Sequence, residues 1–104
     1  MSMEQARQML EHVPEWELKE PAQGEPSSVP VLARRFRFKN FVEAMAFVNK
    51  VADVAEEEGH HPDIHISWNR VRIDLTTHAV HGLSDNDFIM AAKIDLLAPA
   101  TPPK

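Results

Sequence analysis

A long stretch in the middle of the chain repeats apolar residues at helical spacing. Between residues 41 and 58 they recur at positions 41, 44, 45, 48, 51, 52 and 55, which is typical of the buried face of an amphipathic helix. Asn40 with Glu43 three positions later forms a capping-box pair at the start. Gly59 follows the last apolar turn, and glycine takes the left-handed conformation past a helix end without strain. The pattern predicts one long helix between Asn40 and Gly59.

Alternation of apolar and polar residues predicts strands on both sides of this helix. Before it, residues 31–38 carry Phe36 and Phe38 on one face and arginines on the other. After it, residues 64–68 and 71–75 alternate in the same way and predict a β-hairpin. A brief strand is also expected at residues 16–19, so the chain contains four strands in all.

The register of the hairpin decides which residues meet at its open end. With Asn69 and Arg70 as a two-residue turn, the first strand runs back from the turn directly opposite the second. Counting outward from that turn brings His61 opposite His78. We therefore expect these two histidines to lie near one another at one rim of the sheet.

Capping residues predict a further helix near each end of the chain. Ser2 precedes a helix over residues 3–11, and Ser84 with Asp87 at the third helical position caps the last helix. The apolar side of that last helix is expected to carry Phe88, Ile89, Ala92 and Leu96. The order helix, strand, strand, helix, strand, strand, helix predicts an α+β fold, a four-stranded antiparallel sheet with helices packed on one face.

Length and turn-forming composition set the domain limits. A chain of 104 residues has room for one modest core, so residues 1–97 are expected to form a single domain. Residues 20–28 are rich in turn formers and predict an exposed loop. The tail, residues 98–104, is expected to be disordered.

Charge and hydropathy argue against two classes of partner. The formal net charge is −5, and the only basic cluster in the sequence is Arg34, Arg35, Arg37 and Lys39, so we expect no nucleic-acid partner. The first residues lack the apolar core of a secretory signal, and no run approaches the roughly 20 apolar residues that span a bilayer. Together with the absence of cysteine, these features favour a cytoplasmic protein without a membrane partner.

Histidines carry the candidate chemistry. His60 and His61 leave the long helix, and His78 leaves the last strand. Free imidazole titrates near pH ~6.5, so it can both give and take a proton at neutral pH, and general acid/base work suits this set. A metal site that draws on His61, His65, His78 and His81 is the weaker alternative, because side chains of adjacent residues diverge and no cysteine is present.

Structural roles also explain the neighbouring polar residues. Glu56 is consistent with a solvated helix face, or with orienting an imidazole one turn later. Asp87 is consistent with a favourable charge at a helix N-terminus, and Trp68 with a core position beside the turn. Thr76 and Thr77 are ordinary strand residues whose hydroxyls can also bind a polar ligand.

Three segments, EEEGHHPDI, SWNRV and TTHAVHGLSDND, together resemble the pterin-4a-carbinolamine dehydratase family. That family's pattern has an acidic residue, three others, His-His-Pro, an aromatic residue, a histidine and an aspartate. The matching positions in this sequence are Glu56, His60, His61, Pro62, Trp68, His78 and Asp87. The resemblance covers nearly the whole chain except residues 20–28 and the tail.

This resemblance implies a reaction and a set of site residues. The reaction is loss of water from a 4a-hydroxytetrahydropterin to give the quinonoid dihydropterin, in pterin recycling, with no metal and no cofactor. His60, His61 and His78 would be the catalytic and pterin-contacting groups, and Thr76 and Thr77 would line the ring. Glu56 and Asp87 would support them. Because the predicted hairpin pairs them, we expect His61 and His78 to flank the departing hydroxyl.

The resemblance also implies self-association. Members of the family assemble as homodimers or homotetramers, and Phe47 and Val54, which fall outside the apolar stripe of the long helix, favour a second buried face. A non-catalytic dimerisation or binding module on the same fold is the alternative function.

Overall fold

The computed structural model describes residues 1–20, 29–80 and 82–98, with His78 described by its backbone alone. The predicted order of helices and strands is confirmed, with a short 3-10 helix at Leu10–His12 and another at His78–Val80. The predicted loop at 20–28 and tail at 98–104 fall almost entirely outside the described residues. The helices and strands are α1 Met3–Met9, β1 Glu17–Lys19, β2 Val31–Arg37, α2 Phe41–Glu58, β3 Asp63–Ser67, β4 Arg70–Leu75 and α3 Asp85–Leu97.

The strands form one antiparallel sheet in the order β1-β2-β4-β3, which confirms the predicted α+β fold. Alternation gives the sheet an apolar inner face, because Val71, Ile73 and Leu75 of β4 are all buried. The helices pack on this face, and the core lies between the two layers. The opposite face of the sheet is polar, and it carries most of the arginines of β2 and β4.

Phe47 belongs to the core of the single chain, so the predicted second face of α2 is wrong at this position. Its ring centroid lies 4.7 Å from that of Phe36 and 5.0 Å from that of Phe38. The helix turns the stripe that includes Ala44 and Val51 toward the sheet, and Phe47 lies one turn along the same stripe. Val54 packs at the margin of the core.

The apolar side predicted for α3 is wrong in three of its four residues. Phe88 is buried, whereas Ile89, Ala92 and Leu96 are exposed. The buried side of the helix also carries Met90, Ala91 and Ile94. Asp87, which is fully buried at the start of the helix, shares this side. Because α3 carries apolar residues on both sides, the sequence pattern did not show which side is buried. In the structure, the buried side is the one that carries Asp87 and its polar contacts.

The hairpin register differs from the predicted one. Trp68 and Asn69 form the turn, and Ile66 opposes Val71 while Ile64 opposes Ile73. Asn69 is buried because its side-chain Nδ2 donates to the carbonyl of Phe38 at 3.0 Å and its own carbonyl accepts from the Phe38 N–H at 2.8 Å. These two bonds tie the turn to the end of β2, so the pairing that placed His61 opposite His78 is not formed.

Trp68 does not enter the core as expected. It is 63% exposed and adopts a positive φ of 51°, a conformation that large residues rarely take. It lies at the end of β3 that is remote from the histidine doublet. Among the described residues, no helix is both long enough and apolar enough to cross a bilayer.

Candidate active site

The end of α2 fixes the position of His60. Gly59 adopts the left-handed conformation predicted for it, with φ 64° and ψ 30°. The N–H groups of Gly59 and His60 both donate to the carbonyl of Ala55, the second at 3.1 Å. This closure reverses the chain immediately after the helix, and it holds the backbone of His60 in one orientation.

Replacing Gly59 by alanine tests this arrangement. A Cβ at Gly59 meets no atom within 4 Å, so the cost comes only from the left-handed backbone, and we expect a loss of about 1 kcal/mol in the free energy of unfolding. Gly59→Asn is the matched control, because asparagine tolerates this conformation, and it should lose less. Urea unfolding measures both, and equal losses in the two variants would contradict the explanation.

The side chain of His60 points into the protein and binds a carboxylate. Its Nε2 lies 2.6 Å from Oδ1 of Asp87. The exposed fraction of the His60 side chain is 16%, and that of Asp87 is zero. A fully buried carboxylate needs hydrogen-bond donors, because burial without them costs several kcal/mol. His60 supplies one of these donors and remains partly open to solvent.

Two further donors reach the other oxygen of Asp87. Thr77 Oγ1 donates to Oδ2 at 2.8 Å, and the backbone N–H of Ser84 donates to the same oxygen at 3.0 Å. The Ser84 and Thr77 hydroxyls are also 2.8 Å apart. Because the Thr77 hydrogen goes to Asp87, the Ser84 hydroxyl is the donor of that pair. Asp87 is thus the centre of a network that joins the segment after α2, the start of α3 and the segment after β4.

The segment that carries His78 is tied down at both ends. The Thr77 N–H donates to the Gly82 carbonyl at 2.7 Å, and the Gly82 N–H donates back to the Thr77 carbonyl at 3.3 Å. Thr76 Oγ1 donates to the carbonyls of Pro30 at 3.0 Å and of Gly82 at 3.2 Å. The backbone of His78 leaves this frame directly after Thr77, the residue that binds Asp87.

His61 follows His60 but faces a different environment. Its Nε2 lies 2.8 Å from Oε2 of Glu56, and the exposed fractions of the two side chains are 64% and 77%. Glu56 therefore binds His61 rather than His60, the residue one turn after it. Exposed ion pairs of this kind contribute little to stability, about 0–1 kcal/mol, so His61 keeps more freedom to move than His60.

The structure brings some of the predicted site residues together, separates others, and leaves the remainder outside the described residues. His60, Thr77 and Asp87 form one hydrogen-bonded set, whereas His61 with Glu56 forms a separate pair at the surface. The side chain of His78 and all of His81 lie outside the described residues. Among the described side chains, no three of the types that ligate metals gather in one place. His65 lies on the outer face of the sheet, with Nε2 3.8 Å from Oδ2 of Asp74.

The arrangement around Asp87 prepares His60 for proton transfer. With the Nε2 hydrogen directed at the carboxylate, the second ring nitrogen, Nδ1, keeps its lone pair and can accept a proton. The imidazolium that forms then keeps its hydrogen bond to the Asp87 carboxylate. A carboxylate behind one imidazole nitrogen also fixes the tautomer and the ring orientation.

Sequence reasoning included Asp87 only as a supporting residue and missed Ser84 as a member of the network. The signal was present in the spacing, since Ser84 and Asp87 stand three residues apart at the start of α3. The same spacing describes an ordinary capping pair, in which the acidic side chain binds the backbone N–H of the cap. The sequence pattern did not distinguish a solvated cap from one whose carboxylate also reaches a histidine in the segment after another helix.

Comparison with known proteins finds similarity to one family. Residues 1–97 match the family model described as pterin 4 alpha carbinolamine dehydratase. A Methylococcus capsulatus protein provisionally named pterin-4-alpha-carbinolamine dehydratase is 50% identical over 98 residues, which cover 94% of this chain and 80% of that protein. The mitochondrial pterin-4-alpha-carbinolamine dehydratase 2 of Arabidopsis thaliana is 43% identical over 98 residues, which cover 93% of this chain and 50% of that protein.

Solved structures share the fold. A protein from Brucella melitensis described as a transcriptional coactivator/pterin dehydratase superposes with a TM-score of 0.80 at 28% identity, covering 95% of this chain and 98% of that one. A pterin dehydratase-like protein identified as a RuBisCO assembly factor in the alpha-carboxysome superposes with a TM-score of 0.64 at 30% identity, covering 84% and 93%. By sequence over nearly its whole length and by fold, this chain belongs to the pterin 4 alpha carbinolamine dehydratase family.

Proposed function

We propose that this protein removes water from 4a-hydroxytetrahydropterins through acid/base catalysis by its histidines. The observation that carries the proposal is the pairing of His60 with the fully buried Asp87, 2.6 Å apart, at positions that match the family's sequence pattern. A buried carboxylate behind a partly exposed imidazole is an arrangement suited to proton transfer.

The chemistry requires one acid and one base. The C4a–O bond breaks as an acid protonates the departing hydroxyl, which leaves as water, and a base takes the proton from N5 as the C4a=N5 double bond forms. Neither a metal nor a redox cofactor takes part. We assign the base to His60, because Asp87 holds the Nε2 hydrogen of that ring and leaves Nδ1 able to accept a proton. His61 and His78, which follow His60 and Thr77 in the chain, are the candidates for the acid.

Thr76 is proposed to contact the pterin through its backbone, and Thr77, whose N–H and carbonyl already bond to Gly82, is proposed to line the ring by packing alone. The hydroxyl of Thr76 is engaged by two carbonyls, and that of Thr77 by Asp87 and Ser84. Using either hydroxyl for substrate would break bonds that hold the segment around His78. The backbone of Thr76 is the proposed contact for the ring edge, because its use breaks none of these bonds.

A stopped-flow assay with chemically generated carbinolamine tests the proposal. Dehydration should accelerate in proportion to protein concentration, and the quinonoid product should appear at the rate at which the carbinolamine disappears. A rate equal to that of buffer alone would contradict the enzymatic function.

A non-catalytic binding module is the second candidate. Its support is the likeness to the RuBisCO assembly factor, which shares the fold at 30% identity. If the protein serves only assembly, the stopped-flow assay gives the buffer rate for the intact protein and for every histidine variant. The acid/base proposal requires instead that the histidine variants differ from the intact protein.

We also propose that the protein assembles as a homodimer or homotetramer. The residues that support this assembly differ from those that the sequence indicated. Phe41 and Val42 at the start of α2, and Ile89 and Leu96 on α3, are 48%, 75%, 48% and 86% exposed. Apolar side chains so exposed on two helices favour a protein interface. Sedimentation at micromolar concentration should show a species larger than one chain, and a monomer alone would contradict the proposal.

A cytoplasmic location remains a prediction.

A further inference from the structure

The outer face of the sheet gathers arginines that are distant in sequence. Arg35 of β2 lies directly opposite Arg72 of β4, and Arg37 lies directly opposite Arg70. Together with His65 of β3, these residues line one open hollow of about 490 Å³. We call these five residues the arginine face.

Folding changes the basic cluster that the sequence indicated. Arg34 turns to the other side of β2, where its guanidinium donates to Oδ1 of Asp95 at 2.5 Å. Two arginines of β4 take its place on the outer side, because the antiparallel pairing brings them opposite Arg35 and Arg37. The folded cluster thus consists of four arginines in two opposed pairs, an arrangement that the sequence alone does not predict.

This arrangement is unfavourable for the isolated chain. Like charges directly opposite on neighbouring strands destabilise a sheet, and the arginine face contains two such pairs. One nearby carboxylate offsets part of the charge, since Arg72 Nε donates to Asp74 Oδ1 at 2.9 Å. Within the described part of the chain, no carboxylate lies within ion-pair distance of Arg35, Arg37 or Arg70. A concentrated positive surface therefore persists on a chain whose net charge is −5.

We propose that the arginine face docks an extended, acidic segment of a partner protein. Guanidinium groups can pair with carboxylates through two parallel hydrogen bonds, and Asp74 already accepts a single hydrogen bond from Arg72 Nε. Successive arginines on one face of a strand stand about 6.8 Å apart, which is the spacing of alternate side chains in an extended segment. Acidic residues at every second position of that segment therefore match the two rows of arginines.

Two features favour an acidic protein segment over nucleic acid. Phe36 is the one phenyl or indole ring that lines the hollow, and it is buried in the core, so the imidazole of His65 is the only exposed ring among the described residues of the lining for base stacking. The net charge of −5 also repels a long phosphate backbone outside the hollow. A short acidic segment that stays within the arginine face avoids most of this repulsion.

Fluorescence polarisation with a labelled peptide of six Glu-Ser repeats tests the proposal. At about 50 mM salt, where surface charges are weakly screened, the intact protein should bind the peptide saturably, and a peptide of six Gln-Ser repeats should not bind. Arg70→Glu should weaken binding about tenfold or more, because it replaces an attraction with a repulsion. Lys50→Glu, the same charge change at an exposed position on α2, should alter binding less than about twofold.

Arg37→Glu is measured alongside, and thermal melting confirms that both arginine variants fold. Three results would overturn the proposal. The first is no saturable binding of the Glu-Ser peptide by the intact protein. The second is an equal loss in Arg70→Glu and Lys50→Glu. The third is tighter binding of single-stranded oligothymidylate of the same length, which would assign the arginine face to nucleic acid instead.

Discussion

Replacing His60 by alanine is expected to lower kcat for carbinolamine dehydration on the order of 10²-fold or more. The imidazole is the one side chain in the described part of the site that combines a titratable nitrogen with a buried carboxylate partner. Without it, the proton on pterin N5 passes to water, which is a much weaker base. Stopped-flow turnover with saturating substrate measures the change.

Two further variants separate catalysis from folding. His60→Gln retains an N–H that can donate to Asp87 but carries no titratable group, so it should be as slow as His60→Ala while remaining more stable. His12→Ala removes an exposed imidazole at the end of the first 3-10 helix and should leave kcat unchanged. Full activity in His60→Gln would refute the assignment of His60 as the base.

Replacing Asp87 by asparagine is expected to lower kcat by about the same order. The amide keeps an oxygen for the Thr77 and Ser84 donors, but it then presents an NH₂ group to Nε2 of His60. The imidazole must accept from that group at Nε2 and carry its hydrogen on Nδ1, which removes the lone pair that takes the proton. The ¹⁵N resonances of the His60 ring should report this change of tautomer, which a purely structural role of Asp87 would not produce.

The stability of Asp87 variants gives a second readout. Asp87→Ala leaves the donors of His60, Thr77 and Ser84 without their acceptor, and each unsatisfied group costs about 1–3 kcal/mol. We expect the free energy of unfolding to fall by at least about 3 kcal/mol. Asp85→Asn is the matched control in the same helical turn, where the side chain is exposed, and it should change neither kcat nor the tautomer. An unaltered kcat in Asp87→Asn would contradict the positioning role.

The helices and strands follow from local patterns, and this explains why the sequence predicts them well. The stripe on α2, its asparagine cap and Gly59 each act within a few residues. The alternation in β2 and β4 likewise requires only that one face be buried. The α+β fold then follows from the order of the segments.

Register and orientation depend on contacts that no short window contains. Asn69 enters the turn because it binds Phe38, more than thirty positions earlier, so the neighbouring sequence alone placed the turn one residue too late. The side of α3 that faces the core is the side on which Asp87 is buried, and the partner of Asp87, His60, follows another helix, α2. The cluster of arginines on the outer face also required the pairing of β2 with β4.

The sequence named candidate members of the site but did not predict the hydrogen bonds between them. The spacing of the histidines and Asp87 matches a family pattern, and that match named the residues. It did not show that Asp87 binds His60 while Glu56 binds His61, because the sequence positions of the two acidic residues allow either of them to bind either histidine. We propose different chemical tasks for the adjacent histidines because one belongs to a buried pair and the other to an exposed pair.

The central claim is that His60, held by Asp87, takes the proton from N5 of the pterin. A crystal structure of the protein with a bound dihydropterin tests it most directly. We expect N5 to lie about 3 Å from Nδ1 of His60, or to be joined to it by a single water, with Nε2 still bonded to Asp87. A pterin bound in another part of the molecule, or a ring whose N5 faces away from His60, would contradict the account.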